Sequence, residues 1–125
     1  MTLVLDCEGL AKAVQRDREL TAWLAAARAA DERVVTSAAT LVEVLHPRIN
    51  RPAFDWVVSR LSIEPVTIEI AKLAAVLLEQ AGFRGHKNAM LAATALSVSG
   101  SATVLTSDPD DMAMLCGRRV TVVKI

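Results

Sequence analysis

The sequence predicts an α/β fold in which helices pack on a small, mainly parallel sheet. Two continuous apolar runs, Leu3-Val4-Leu5 and residues 102–106, lack the alternation of a half-exposed strand and read as central strands covered on both faces. Segments of helical period lie between these runs and a further β-branched run at 33–36, the alternation expected of a parallel sheet. Apolar residues make up 53% of the 125 positions but aromatics only 3%, so the core is built from Ala, Val, Leu and Ile, which let helices approach a sheet closely. No linker, repeat or low-complexity stretch divides the chain, and 1–125 reads as one domain.

Charge and cysteine content narrow the function classes. Fourteen basic residues balance fourteen acidic ones, so no overall positive field advertises nucleic acid, and such a partner would need a local basic patch. Cys7 and Cys116 form neither a CxxC nor a metal-ligand spacing, which suits two packing thiols in a reduced cytoplasmic protein. No basic region followed by a long apolar segment opens the sequence, so no signal peptide is expected. Residues 88–107 are uncharged over a length that could span a bilayer, but Ser97, Ser99, Gly100 and Ser101 punctuate them. They read as a buried helix, a turn and a buried strand, with no membrane association.

The first strand ends at Asp6. Ligands of open parallel sheets bind outside the carboxyl ends of the strands, so this acid stands either at a site or as the cap of the helix at 8–15. A helix at 17–30 carries Leu20, Trp23, Leu24 and Ala27 on one apolar face, which suits a core or the seat of a partner helix. After the strand at 33–36, Ser37 caps a helix over 38–46 whose Leu41, Val42 and Leu45 are expected to face inward, with Pro47 stopping it. Glu43 lies mid-helix and either meets solvent or points back toward Asp6. His46, at the helix end, suits the dipole or a hydrogen bond.

A helix at 50–61 tolerates Pro52 in its first turn and turns Phe54, Val57, Val58 and Leu61 inward. Arg48, Arg51 and Arg60 flank it as a solvated edge or a local basic patch. Residues 63–66 suit an edge strand because of Pro65. Thr67 then caps a helix to 81, apolar on more than one face and so either central or half of a dimer interface. The helix at 88–98 opens on Asn88, where a capping role suffices, and its alanines permit close approach to the sheet. Strand 102–106 exits into Ser107-Asp108-Pro109, in which Asp108 before Pro109 has the form of a cap preceding a short helix to 115. A last strand follows at 119–125.

Two buried strands thus end at Asp6 and Asp108, and Glu43 lies on an intervening helix. Carboxylates brought to one edge repel each other, and a hard divalent cation with oxygen ligands, Mg²⁺ or Mn²⁺, is the usual resolution. Such a cation generates hydroxide and stabilises phosphoryl charge, the chemistry of metal-dependent nucleases.

Four motifs, LVLDCEGL, TLVEVL, AMLAATAL and VLTSDPDDM, taken in this order and spacing, resemble the PIN domains of VapC-type toxin ribonucleases from bacterial toxin–antitoxin pairs. The resemblance covers essentially the whole chain and implies a three-layer α/β/α sandwich. It implies that Asp6, Glu43 and Asp108 are family acids that hold Mg²⁺ or Mn²⁺, with Asp111 in support. Asn88 falls where the family has Asp; an amide keeps an oxygen ligand but loses the charge and cannot act as a base. The resemblance further implies an RNA substrate positioned by basic residues, for which Arg84, His86 and Lys87 are the candidates. It also implies a homodimer and a small antitoxin lying in a groove that the face around Trp23 and Leu24 would fit. Two other readings remain: a PIN-fold protein that binds antitoxin or RNA without catalysis, and an unrelated α/β domain in which these polar residues are all caps.

Overall fold

The computed structural model describes residues 1–83 and 88–125. In chain order it comprises β1 (Thr2–Leu5), α1 (Cys7–Val14), α2 (Arg18–Ala29), β2 (Arg33–Ser37), a 3-10 turn (Ala38–Thr40), α3 (Leu41–Val44) and α4 (Arg51–Val58). There follow β3 (Ser62–Glu64), α5 (Ile68–Gln80), α6 (Ala89–Ser97), β4 (Ala102–Thr106), α7 (Pro109–Cys116) and β5 (Thr121–Lys124). The five strands form one parallel sheet in the order β3-β2-β1-β4-β5. The continuous apolar runs are its two interior strands β1 and β4, buried at every position.

The strands divide their side chains between two cores by the two-residue period of a strand. Val4, Val35 and Val104 point into a cluster with α5, α6 and α7, where Ala92 and Ala93 are fully buried against the sheet. Leu3, Leu5 and Leu105 point to the opposite face and pack with Leu20 and Ala27 of α2. Beside them Leu10, Val14, Val44, Phe54 and Val57 join α1, α3 and α4. Helices on both faces of a parallel sheet make the three-layer α/β/α sandwich.

One element departs from expectation. The helix expected over 38–46 begins as the 3-10 turn Ala38–Thr40 and ends at Val44, so His46 lies beyond it. A 3-10 turn advances the chain by about 60° more than an α-helix over three residues, which turns the following side chains to a different face. Val44 is consequently buried, whereas Val42 is 81% exposed and Leu45 also faces solvent. The edge strand β3 stops before Pro65, as a residue without a backbone donor requires. Helix α5 buries Ala74 and Leu77 but leaves Ile68 70% exposed and Val76 exposed, so it carries a second, uncovered apolar face. Among the described residues no helix is long and apolar enough to cross a membrane.

The strand order sets the place of the site. Helical connections leave β1 toward β2 and reach β4 on its other side, so the sheet changes winding direction between β1 and β4. A crevice opens at the carboxyl ends of such a strand pair. Leu5 pairs with Leu105, which brings Asp6 and the Thr106-Ser107-Asp108 exit to the same edge.

Candidate active site

Asp6 is 2% exposed. Its Oδ1 accepts the Gly9 backbone N–H at 2.7 Å, capping α1, and its Oδ2 accepts the Ser107 N–H at 3.0 Å. The capping reading of this residue is therefore realised by one oxygen, while the other ties β1 to the exit of β4. Two of the four lone-pair positions of the carboxylate remain for other partners. Gly9 lies against the strand ends: a Cβ there would stand 3.4 Å from Asp6 Oδ1, from the Leu105 carbonyl and from Leu5 Cβ.

Asp108 and Asn88 do not make the capping bonds expected of them. Neither side chain bonds to the first turn of its own helix. Instead the Asn88 amide Nδ2 donates to Asp108 Oδ2 at 3.4 Å, and Asn88 is buried to 4% exposure in doing so. The Asp108 backbone N–H donates to Thr106 Oγ1 at 2.9 Å, which holds the turn out of β4. Thr36 donates its hydroxyl to the Leu5 carbonyl at 2.7 Å and fixes β2 beside the end of β1. These bonds make the base of the crevice rigid.

Glu43 is an exposed residue of α3 that reaches the site through Cys7. The Cys7 thiol lies within the influence of the Glu43 carboxylate and of the Asp6 charge. Burial, then the neighbouring Glu43 carboxylate, then the Asp6 charge push the thiol up to about 12, so it is held protonated. Cys7 was expected only to pack, and the Thr106 hydroxyl was not singled out; adjacency to the two acids was the one signal for either. Asp111 lies half-buried in the first turn of α7, one turn beyond Asp108. Arg84, His86 and Lys87 lie outside the described residues.

The arrangement favours hard ligands. Asp6, Asn88 and Asp108 present only oxygen acceptors and one amide, a donor set suited to Mg²⁺ or Mn²⁺ rather than to soft metals. Among the described residues no three His, Cys, Asp or Glu side chains lie close enough to hold a metal.

A separate groove of about 790 Å³ runs between α2 and α4. Leu24, Ala25, Trp56, Val57 and Leu61 line it, and the Arg60 guanidinium stacks on the Trp56 ring, 4.4 Å from its centroid. Of the two residues expected on such a face, Leu24 lines the groove, while Trp23 is half-buried on Leu3, Leu5 and Leu20.

No protein-family model matches the chain, and no curated sequence does. Solved structures do. A chain of the VapBC2 complex of Rickettsia felis, bound to a DNA fragment from its promoter, matches with a TM-score of 0.78 over 100% of this chain and 99% of that one, at 18% identity. The chain has the VapC-type PIN fold. A chain of FitAcB from Neisseria gonorrhoeae matches this PIN fold with a TM-score of 0.67, 22% identity and coverage of 96% and 95%. A chain of VapBC-1 from nontypeable Haemophilus influenzae does so with a TM-score of 0.67, 17% identity and coverage of 99% and 98%. At these identities the likeness is one of fold.

Proposed function

We propose that this PIN-fold chain is a divalent-metal-dependent endoribonuclease acting in the cytoplasm as the toxin of a toxin–antitoxin pair. The observation that carries the reading is the bond from Ser107, the neighbour of Asp108, to Asp6 at the exits of adjacent strands, with Asn88 bonded to Asp108. The VapBC and FitAB neighbours support the toxin role.

Asp6, Asn88, Asp108 and Glu43 are the residues that would hold Mg²⁺ or Mn²⁺. When bound, the cation supplies a nucleophilic water and stabilises charge on a phosphodiester oxygen. Asp6 keeps lone pairs for this while its backbone bonds fix its direction. Asn88 contributes an oxygen ligand but can take up no proton, so any base must be one of the carboxylates. Asp111 supports Asp108 from the next turn.

The apolar groove between α2 and α4 is the seat of an antitoxin segment, and its size and aromatic–arginine wall suit an amphipathic helix. The uncovered α5 face with Ile68 and Val76 suits a second copy of the chain. A binding protein without catalysis is the second reading. It is favoured by one observation: the Asn88–Asp108 bond relieves the acidic site with no cation.

Cleavage of a panel of structured RNAs by purified protein in Mn²⁺ tests these readings, with Asn88→Asp, Asp6→Asn and EDTA alongside. Cleavage by the chain or by Asn88→Asp, abolished by EDTA and by Asp6→Asn, supports the nuclease. Inertness of both with no metal binding leaves the binding protein.

A further inference from the structure

A second groove, of about 840 Å³, lies between α1 and the facing segment 43–53, and it opens beside the acidic site. Its floor is one face of α1, whose residues 7, 8, 11 and 14 line it together with Gln15 at the helix end. Cys7 and Glu8 stand at one end of that helix and Arg16 just beyond the other, about 12 Å apart at the rise of an α-helix. Glu43 and Arg48 stand on the facing wall. The groove is therefore acidic where it meets the site and basic where α1 ends.

Two details make the basic groups available. Among the described residues neither Arg16 nor Arg48 has an ion-pair partner, whereas Arg33 and Arg51 are paired with Glu64 and Asp55. His46 Nδ1 accepts the Arg48 backbone N–H at 3.1 Å, which folds the turn at 46–48 and fixes the point from which the Arg48 side chain extends. Both arginines are exposed.

We propose that this groove guides a single-stranded RNA backbone into the acidic site, with Arg16 and Arg48 each taking a phosphate. The inference rests on the nuclease reading for its direction and gives RNA contacts within the described part of the chain. Charge complementarity favours this occupant: free guanidiniums bind phosphate oxygens strongly, and a groove is needed to hold them in line. The acidic end repels a phosphate until a cation lies there. The backbone is thus anchored by the arginines and enters the reacting position only in the metal-loaded protein.

The test is fluorescence anisotropy of a short labelled oligouridylate at low salt in EDTA. Arg16→Gln combined with Arg48→Gln is expected to weaken binding about tenfold or more. The slope of log affinity against log salt is expected to fall by about 1.4, the value for two lost single-strand phosphate contacts. Lys at both positions is expected to restore binding, and Arg118→Gln, at an exposed arginine beyond α7 that does not line the groove, to leave it unchanged. The proposal is overturned by equal binding in the double Gln variant, by an equal loss in Arg118→Gln, or by no measurable binding at low salt. Cleavage assays on the same proteins separate the two ideas. Cleavage indifferent to both arginines overturns the groove and spares the nuclease, whereas groove-dependent binding with no cleavage, even by Asn88→Asp, upholds the groove and removes the nuclease.

Discussion

Asn88 and Asp108, twenty residues apart in sequence, face each other across the crevice with the amide nitrogen donating to the carboxylate. The reverse orientation would oppose two oxygens. A carboxylate at position 88 would do the same permanently, and only a proton or a cation could relieve it.

Asn88→Asp is accordingly expected to lower the metal-free melting temperature by about 2–6 °C, the scale of a 1 kcal/mol loss in a domain of this size. Millimolar Mn²⁺ should reverse the loss and bind at least about tenfold more tightly than to the unmodified chain. Calorimetry with and without EDTA reads both. A variant as stable as its parent and indifferent to Mn²⁺ contradicts the expectation.

Asp6 satisfies two backbone donors, those of Gly9 and Ser107. Asp6→Ala strands both and should cost about 2–4 kcal/mol in urea unfolding, about 1–3 kcal/mol for the buried Gly9 donor and about 1 kcal/mol for the partly solvated Ser107 donor. Asp6→Asn retains one acceptor and should lose about half as much. Equal stability of all three proteins would show that water replaces the carboxylate.

Gly9 tolerates little. An added Cβ would be 3.4 Å from Leu5 Cβ, the Leu105 carbonyl and Asp6 Oδ1, at the limit of ordinary contact. Gly9→Ala should stay within about 1 kcal/mol of the parent, because its better helix propensity offsets the crowding. Gly9→Val should lose about 1–3 kcal/mol by forcing α1 away from the strand ends, and any metal affinity should fall with it.

The Cys7 thiol predicts a pH dependence. Its pKa is raised in the folded chain from 9.0 to about 12, so the folded state holds the proton more tightly than the unfolded state. That contribution to stability is complete below pH 9 and is lost as pH rises from 9 toward 12. Native Cys7 should also resist iodoacetamide at pH 8, and Glu43→Gln should speed its alkylation by removing a carboxylate that disfavours thiolate. Peptide mapping by mass spectrometry distinguishes Cys7 from Cys116, itself held up to about 11 by burial.

Much of the fold was legible because strand and helix signals agreed locally. The apolar runs at β1 and β4 are buried at every position, and the Ala-rich helix α6 packs on the sheet as its small side chains allow. The face of α3 was misread because nothing in Ala38-Ala39-Thr40 distinguishes a 3-10 turn from the start of an α-helix. Asp6 was readable from its strand. Asn88 and Asp108 looked like caps because each precedes a helix, and their true partner is visible only when α6 and α7 are packed together. The role of Cys7 depends on Glu43, thirty-six positions away, which no spacing rule connects.

The bond from Ser107 to Asp6 spans 101 residues. On a ribosome adding about 5–20 residues per second, the first strand therefore waits some 5–20 seconds before its neighbour β4 is made. Until then Asp6 has neither the Ser107 donor nor Asp108 beside it, and α1 has only half its floor. In a nascent chain of this design the crevice at the ends of β1 and β4 therefore comes into being only after nearly the whole polypeptide has emerged.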